Sequence, residues 1–122
     1  MIKVHLVPVL ALLLLSNDAV AFDVTFSWIP NTETNLDKYE VYCDPNSNVE
    51  RSGPHTYWKI ADKDNVVSNR VVYTWQDFPL ESQYCCVVAM DSEGMVSDFS
   101  NELYVDMSSG YFGPKNFNFN GK

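Results

Sequence analysis

From Asp23 onward the chain is built of short runs in which apolar and polar residues alternate. Each run is stopped by Asn, Asp, Gly, Pro or Ser after about ten residues. A period of two belongs to a strand with one face buried, so the pattern leaves little room for anything but an all-β fold. Val24, Phe26 and Trp28 alternate with Asp23, Thr25 and Ser27, and Pro30-Asn31 ends the run. Tyr39, Val41 and Cys43 form the inner face of a second strand, closed by Asp44-Pro45. Residues 57–60 make a third, weaker one. Val71, Tyr73 and Trp75 make a fourth, with Phe78 anchoring the loop behind it. Residues 84–90 form a fifth, which Asp91-Ser92-Glu93-Gly94 turns. Leu103 and Val105 mark a sixth. No stretch carries a convincing helical period and there is no internal repeat. The expectation is an antiparallel β-sandwich.

The chain has 122 residues, enough for one domain. Its start reads differently from the rest. Lys3 precedes an almost unbroken apolar run from Leu6 to Leu15, then come Ser16-Asn17-Asp18 and the small-residue step Ala19-Val20-Ala21. That is the layout of a secretory signal peptide over residues 1–21, cut after Ala21. The apolar core is short for a bilayer span, so no stable membrane insertion is expected after cleavage. The division is then 1–21 signal, 22–107 domain and 108–122 a tail rich in Gly, Asn and aromatics. Localisation follows as secreted, periplasmic or cell-surface. The net charge is −8, and losing Lys3 and Asp18 together leaves it there. Such a surface repels phosphate backbones, which argues against nucleic-acid binding.

Three cysteines in an oxidising compartment mean one bridge and one remaining thiol, or a bond to a second chain. Cys85 and Cys86 are adjacent, so on a strand they point to opposite faces. Cys43 reaches one of them and leaves the other.

Two stretches carry a more specific likeness. Val24-Thr25-Phe26-Ser27-Trp28-Ile29-Pro30-Asn31-Thr32-Glu33 followed by Leu36-Asp37-Lys38-Tyr39-Glu40-Val41-Tyr42 resembles the second and third strands of a fibronectin type III domain, closest to the bacterial extracellular kind. Val87-Val88-Ala89-Met90-Asp91-Ser92-Glu93-Gly94 and then Ser97-Asp98-Phe99-Ser100-Asn101-Glu102-Leu103 resembles its last two strands and their hairpin. The likeness spans roughly residues 23–106 and implies the immunoglobulin-like sandwich. It implies little about function, because such domains serve as spacers, adhesins and receptor modules.

The chain departs from that pattern in three places. The family sets a tyrosine at the corner before the penultimate strand. With Val87 and Ala89 inward, Gln83 stands at the corner and Tyr84 is one place late, unless a bulge restores it. That register also turns Cys85 inward beside Cys43, so the resemblance favours a Cys43–Cys85 bridge, with Cys86 the alternative. Second, the family's first strand is missing after signal cleavage, which leaves residues 23–29 as an open edge. Third, beyond Ser108-Ser109-Gly110 lies a spare segment in which Phe117 and Phe119 alternate with asparagine. Three fates are open to it. The plainest is a tail without fixed structure. It can be donated antiparallel to the open edge of a second copy, which would build a head-to-tail row from Val24, Phe26 and Trp28 against Tyr111, Phe112, Phe117 and Phe119. Or it can fold back onto its own domain, meeting that edge in parallel.

Candidate chemistry is thin. The mature chain has one histidine, His55, in a turn, and no histidine-bearing motif around a serine or cysteine, so no catalytic function is expected. No cofactor is expected. Asp44-Pro45-Asn46-Ser47-Asn48-Val49-Glu50 spaces oxygens like the start of a calcium loop, but Val49 stands where glycine is needed and His55 where glutamate is needed, so a polar turn is the better reading and no metal is assigned. Tyr42, Tyr57 and Trp58 are candidates for a ligand-binding surface, offered as rings for a carbohydrate or a protein, or else covered by the loop over residues 46–54. The expectation is an exported structural or adhesive subunit, with a small monomeric binder of carbohydrate or protein as the alternative.

Overall fold

The computed structural model describes residues 21–49, 51, 53, 55–109 and 113–119. The expected signal segment, apart from Ala21, lies outside the described residues, and so do Tyr111 and Phe112. Among the described residues eight strands follow in order: β1 (Phe22–Trp28), β2 (Leu36–Asp44), β3 (Tyr57–Ala61), β4 (Val66–Val67), β5 (Arg70–Phe78), β6 (Gln83–Asp91), β7 (Leu103–Val105) and β8 (Lys115–Asn116). They form two four-stranded sheets, β4-β5-β1-β8 and β3-β2-β6-β7. Every pairing is antiparallel except β1 with β8, which is parallel. The result is an all-β sandwich.

The core lies between the sheets and is made by the alternation seen in the sequence. Val24, Phe26 and Trp28 of β1 meet Tyr39, Val41 and Cys43 of β2, Val71 and Trp75 of β5, and Cys85, Val87 and Ala89 of β6. Edge-to-face contact of Trp28 with Tyr39, at 5.1 Å between centroids, ties one sheet to the other.

Phe78 breaks the period of two and yet is buried. The reason is a bulge. Phe22 pairs with Phe78 and Val24 with Trp75, so β5 carries one residue more than β1 across the same interval. Asp77 takes up the extra residue at φ 55°, and its amide is held by the Asp23 carboxylate at 3.2 Å. Phe78, expected as a loop anchor, is therefore the last inward residue of β5. Ahead of β5, the short strand β4 turns through Ser68 and Asn69, both at positive φ, as a two-residue hairpin of type I′ requires.

In β6 the inward register is Gln83, Cys85, Val87 and Ala89, and no register shift interrupts its pairing with β7. Gln83 thus occupies the corner, where its Nε2 donates to the Glu81 carbonyl at 3.1 Å. Tyr84 stays on the outer face and packs on Tyr104 at 4.8 Å. The same register places Cys43 directly opposite Cys85, and the two are bridged. The bridge joins neighbouring strands of one sheet.

The tail takes the third of the three fates. β8 runs parallel to β1, with Phe26 opposite Lys115 and Ser27 opposite Asn116. The Phe117 amide donates to the Ser27 carbonyl at 2.8 Å, and the Phe117 ring is fully buried, stacked on Phe26 at 5.1 Å and beside Trp28 at 5.9 Å. Beyond it the segment reaches the other sheet's chain. The Asn101 amide donates to the Asn118 carbonyl, the Asn118 amide to Asn101 Oδ1, and Phe119 bridges Ser100. These contacts give β1 a partner at Phe26 and Ser27 on the edge away from β5. The expectation of a structureless tail is corrected over residues 113–119: Phe117 buries a whole aromatic ring, and the backbone groups around it find partners on both sides.

Candidate functional site

Two places on the domain carry chemistry beyond packing. The first is the seat of the tail. Val24, Phe26 and Trp28 point wholly into the core, so what β1 offers at this edge is backbone together with the slot that Phe117 fills. Ser27 completes the seat: its hydroxyl donates to Asn116 Oδ1 at 2.7 Å and accepts from Arg70 Nε at 3.0 Å. The ladder with β8 covers only Phe26 and Ser27, and among the described residues no strand pairs with residues 23–25 on that side. A cavity of about 360 Å³ adjoins the seat between Ile29, Pro30 and Glu33 on one side and Phe117 and Phe119 on the other.

The second place is the outer face of the β3-β2-β6-β7 sheet. Residues 40, 42 and 44 of β2 face outward, and all three are buried. The cover is the segment that follows β2. Asp44 starts it as an Asx turn, accepting from the Asn46 amide at 2.9 Å and from Thr56 Oγ1 at 2.7 Å. Those hydrogen bonds, that of Thr56 first, hold the Asp44 carboxyl below the usual range. Glu102 then fixes the segment from the far side, one carboxylate oxygen accepting from the amides of Asn48 and Val49 at 2.7 and 3.0 Å. Val49 is thereby pressed onto Tyr42, Cys86 and Val88.

Cys86, left over from the bridge, is buried in this small cluster. Burial, and after it the charge of Glu102, pushes its thiol up to about 12.

At the edge of this cover lies an open cleft of about 320 Å³ lined by Glu40, Tyr42, Arg51, His55 and Trp58. The Glu40 carboxylate is its polar centre. Oε1 accepts from the Tyr42 hydroxyl and from Arg51 Nε at 3.3 Å, and the Glu40 side chain is almost out of water while that of Arg51 is half exposed. Burial, followed by the bond to Glu40, raises the Tyr42 phenol well above its ordinary value. His55 packs its ring on Tyr42 at 5.0 Å and sets Nδ1 3.1 Å from the Gly53 carbonyl.

Of the three aromatics named from the sequence, the fold brings Tyr42 and Trp58 together at this cleft and sends Tyr57 elsewhere. Tyr42 is 3% exposed and is the one covered, so it offers no open ring. Trp58 pairs with Tyr42 across β3 and β2, shares its outward face, and is 50% exposed. Tyr57, 37% exposed, turns to the opposite side of β3, into a groove where Lys59 Nζ stands 5.8 Å from the Trp75 ring centroid. Sequence reasoning passed over Glu40 and Arg51. Glu40 was findable, since a carboxylate two residues before Tyr42 on a strand must share its face. Arg51 had no such signal, because it comes from the irregular cover. Among the described residues no group of three or more His, Cys, Asp or Glu is placed to hold a metal. No family model, no curated protein and no solved structure matches the chain.

Proposed function

We propose that this chain is an exported, non-catalytic structural or adhesive module of the fibronectin type III kind, which self-associates by passing its C-terminal tail to the β1 edge of a second copy. The sheet order, with β5-β1 in one layer and β3-β2-β6-β7 in the other, supports the family reading, and β8 then stands where the family's first strand would be. Export is supported by the pattern of residues 1–21 and by a disulfide of the sort that persists in oxidising compartments.

The observation that carries the self-association reading is Phe117. A core aromatic is supplied by a terminal segment whose ladder with the domain is two residues long. Any copy of residues 113–119 can fill the same seat with the same bonds, so exchange between chains changes few contacts, as in other swapped assemblies. Light scattering across a concentration series of the chain from Phe22 to Lys122, beside its Phe117→Ala variant, tests it. Assembly that grows with concentration and disappears in the variant is expected. A monomer at every concentration retires the exchange.

A second reading, a monomeric binder of a carbohydrate or protein ligand, is favoured by one specific observation: the half-exposed Trp58 ring at the mouth of the Glu40–Arg51 cleft.

A further inference from the structure

We propose that the cleft formed by Trp58, Glu40 and Arg51 binds a neutral saccharide, taking one sugar ring of a longer glycan. The proposal rests on the binder reading just given and is independent of tail exchange, since the cleft lies on the outer face of the other sheet.

Charge selects the ligand class. Glu40 only accepts hydrogen bonds and Arg51 only donates them, and they sit 3.3 Å apart. Each compensates the other. A free anion would meet the Glu40 carboxylate, and a free cation would meet the Arg51 guanidinium. An apolar side chain from a protein would strip water from the pair and give no bonds back, which is costly for buried charges. A ligand with a donor and an acceptor on neighbouring atoms satisfies both groups, and vicinal hydroxyls on a pyranose are such a pair.

Shape agrees with charge. The cleft, at about 320 Å³, is near the lower end of small-molecule sites, which run from roughly 300 to 1,000 Å³. It is open to solvent on one side, which lets a glycan chain continue outward. Trp58 presents a flat apolar ring with a polar rim to the C–H face of a sugar. Trp28 and Trp75 are buried, so Trp58 is the tryptophan that ligand can reach. The Tyr42 hydroxyl holds Glu40 in place beforehand, and such preorganisation lowers the cost of binding.

The test is calorimetric titration of the full mature chain with cellohexaose, xylohexaose, mannohexaose and chitohexaose, with tryptophan emission followed in parallel. Saturable heat with at least one of them and a matching change in emission are expected. Trp58→Ala should abolish the heat and Glu40→Gln should weaken binding roughly tenfold. Tyr57→Ala, on the other side of β3, should leave it within about twofold. Thermal melts confirm that each variant is folded. Binding that survives Trp58→Ala but is lost with Tyr57→Ala would overturn this cleft while keeping the binder reading. No heat from any of the four saccharides would overturn the ligand class, whatever the light scattering shows about assembly.

Discussion

Phe117 and Cys86 show how much one side chain decides here. Phe117 sits between Phe26 and Trp28 with no exposed surface, so Phe117→Ala removes a ring from the middle of the core. A loss of about 3 kcal/mol is expected by urea denaturation, at the low end for Phe→Ala because a segment held by a two-residue ladder can detach. Phe119, only partly buried against the same cluster, should cost about 1 kcal/mol on the same change. Cys86 makes a pH prediction. The folded thiol holds its proton more tightly than the unfolded one, whose ordinary value is 9.0, so ionisation favours the unfolded chain. The stabilisation is fully present below about pH 9 and is lost as pH rises towards 12. Over that window stability should fall by up to about 1.4 kcal/mol per unit from this group. In Cys86→Ala the slope should be shallower, as thermal melts from pH 8 to 11 will check. The same shift protects the bridge next door, because a thiol that stays protonated does not attack a disulfide.

At the scale of elements, the covering segment and the bulge in β5 do the positioning. Glu102 supplies two of the hydrogen bonds that hold the cover over Cys86. Glu102→Ala should leave the sheets intact but loosen the cover, and native-state alkylation of Cys86 at pH 8 should then quicken by about tenfold or more. An unchanged rate would mean that Val49 and its neighbours hold the cover without it. The bulge is what brings Phe78 into the core. Asp77 lies at φ 55°, a region that β-branched residues avoid, so Asp77→Val should cost roughly 1–2 kcal/mol although its side chain is exposed.

At the scale of the whole molecule, the Cys43–Cys85 bridge ties β2 to β6 within one sheet and the returning tail ties the two sheets together. The bridge spans a sequence separation of 42, for which chain-entropy arguments give about 4 kcal/mol. Cys43→Ala with Cys85→Ala should therefore lower the denaturation midpoint clearly, and more in the chain that also lacks the tail. The tail ties β1 to the segment ahead of β7, hence one sheet to the other. Hydrogen exchange should show Ser27 and Phe117 amides losing protection together when Phe117 is replaced.

Alternation by itself determined that this chain is all-β, because a period of two with aromatic and β-branched inner residues is satisfied by strands packed on one face; that they form two facing sheets came from the fold. It placed Val24, Phe26, Trp28, Tyr39 and Val41 inward, whereas the register of β6, and with it the choice of Cys85 over Cys86 as the partner of Cys43, came only with the fold. It also showed Phe117 and Phe119 as one apolar face of an extended segment. Which edge that face would meet, and in which direction, only the tertiary structure decided, since pairing joins residues far apart in the chain and leaves no local signal. The same is true of Phe78, whose inward turn depends on a bulge opposite β1, and of Tyr42, whose exposure depends on a cover pinned by Glu102 from a distant turn. The Glu40–Arg51 cleft has that origin too. One residue comes from a strand and could be read from its period, while the other comes from a segment whose course is fixed by contacts alone.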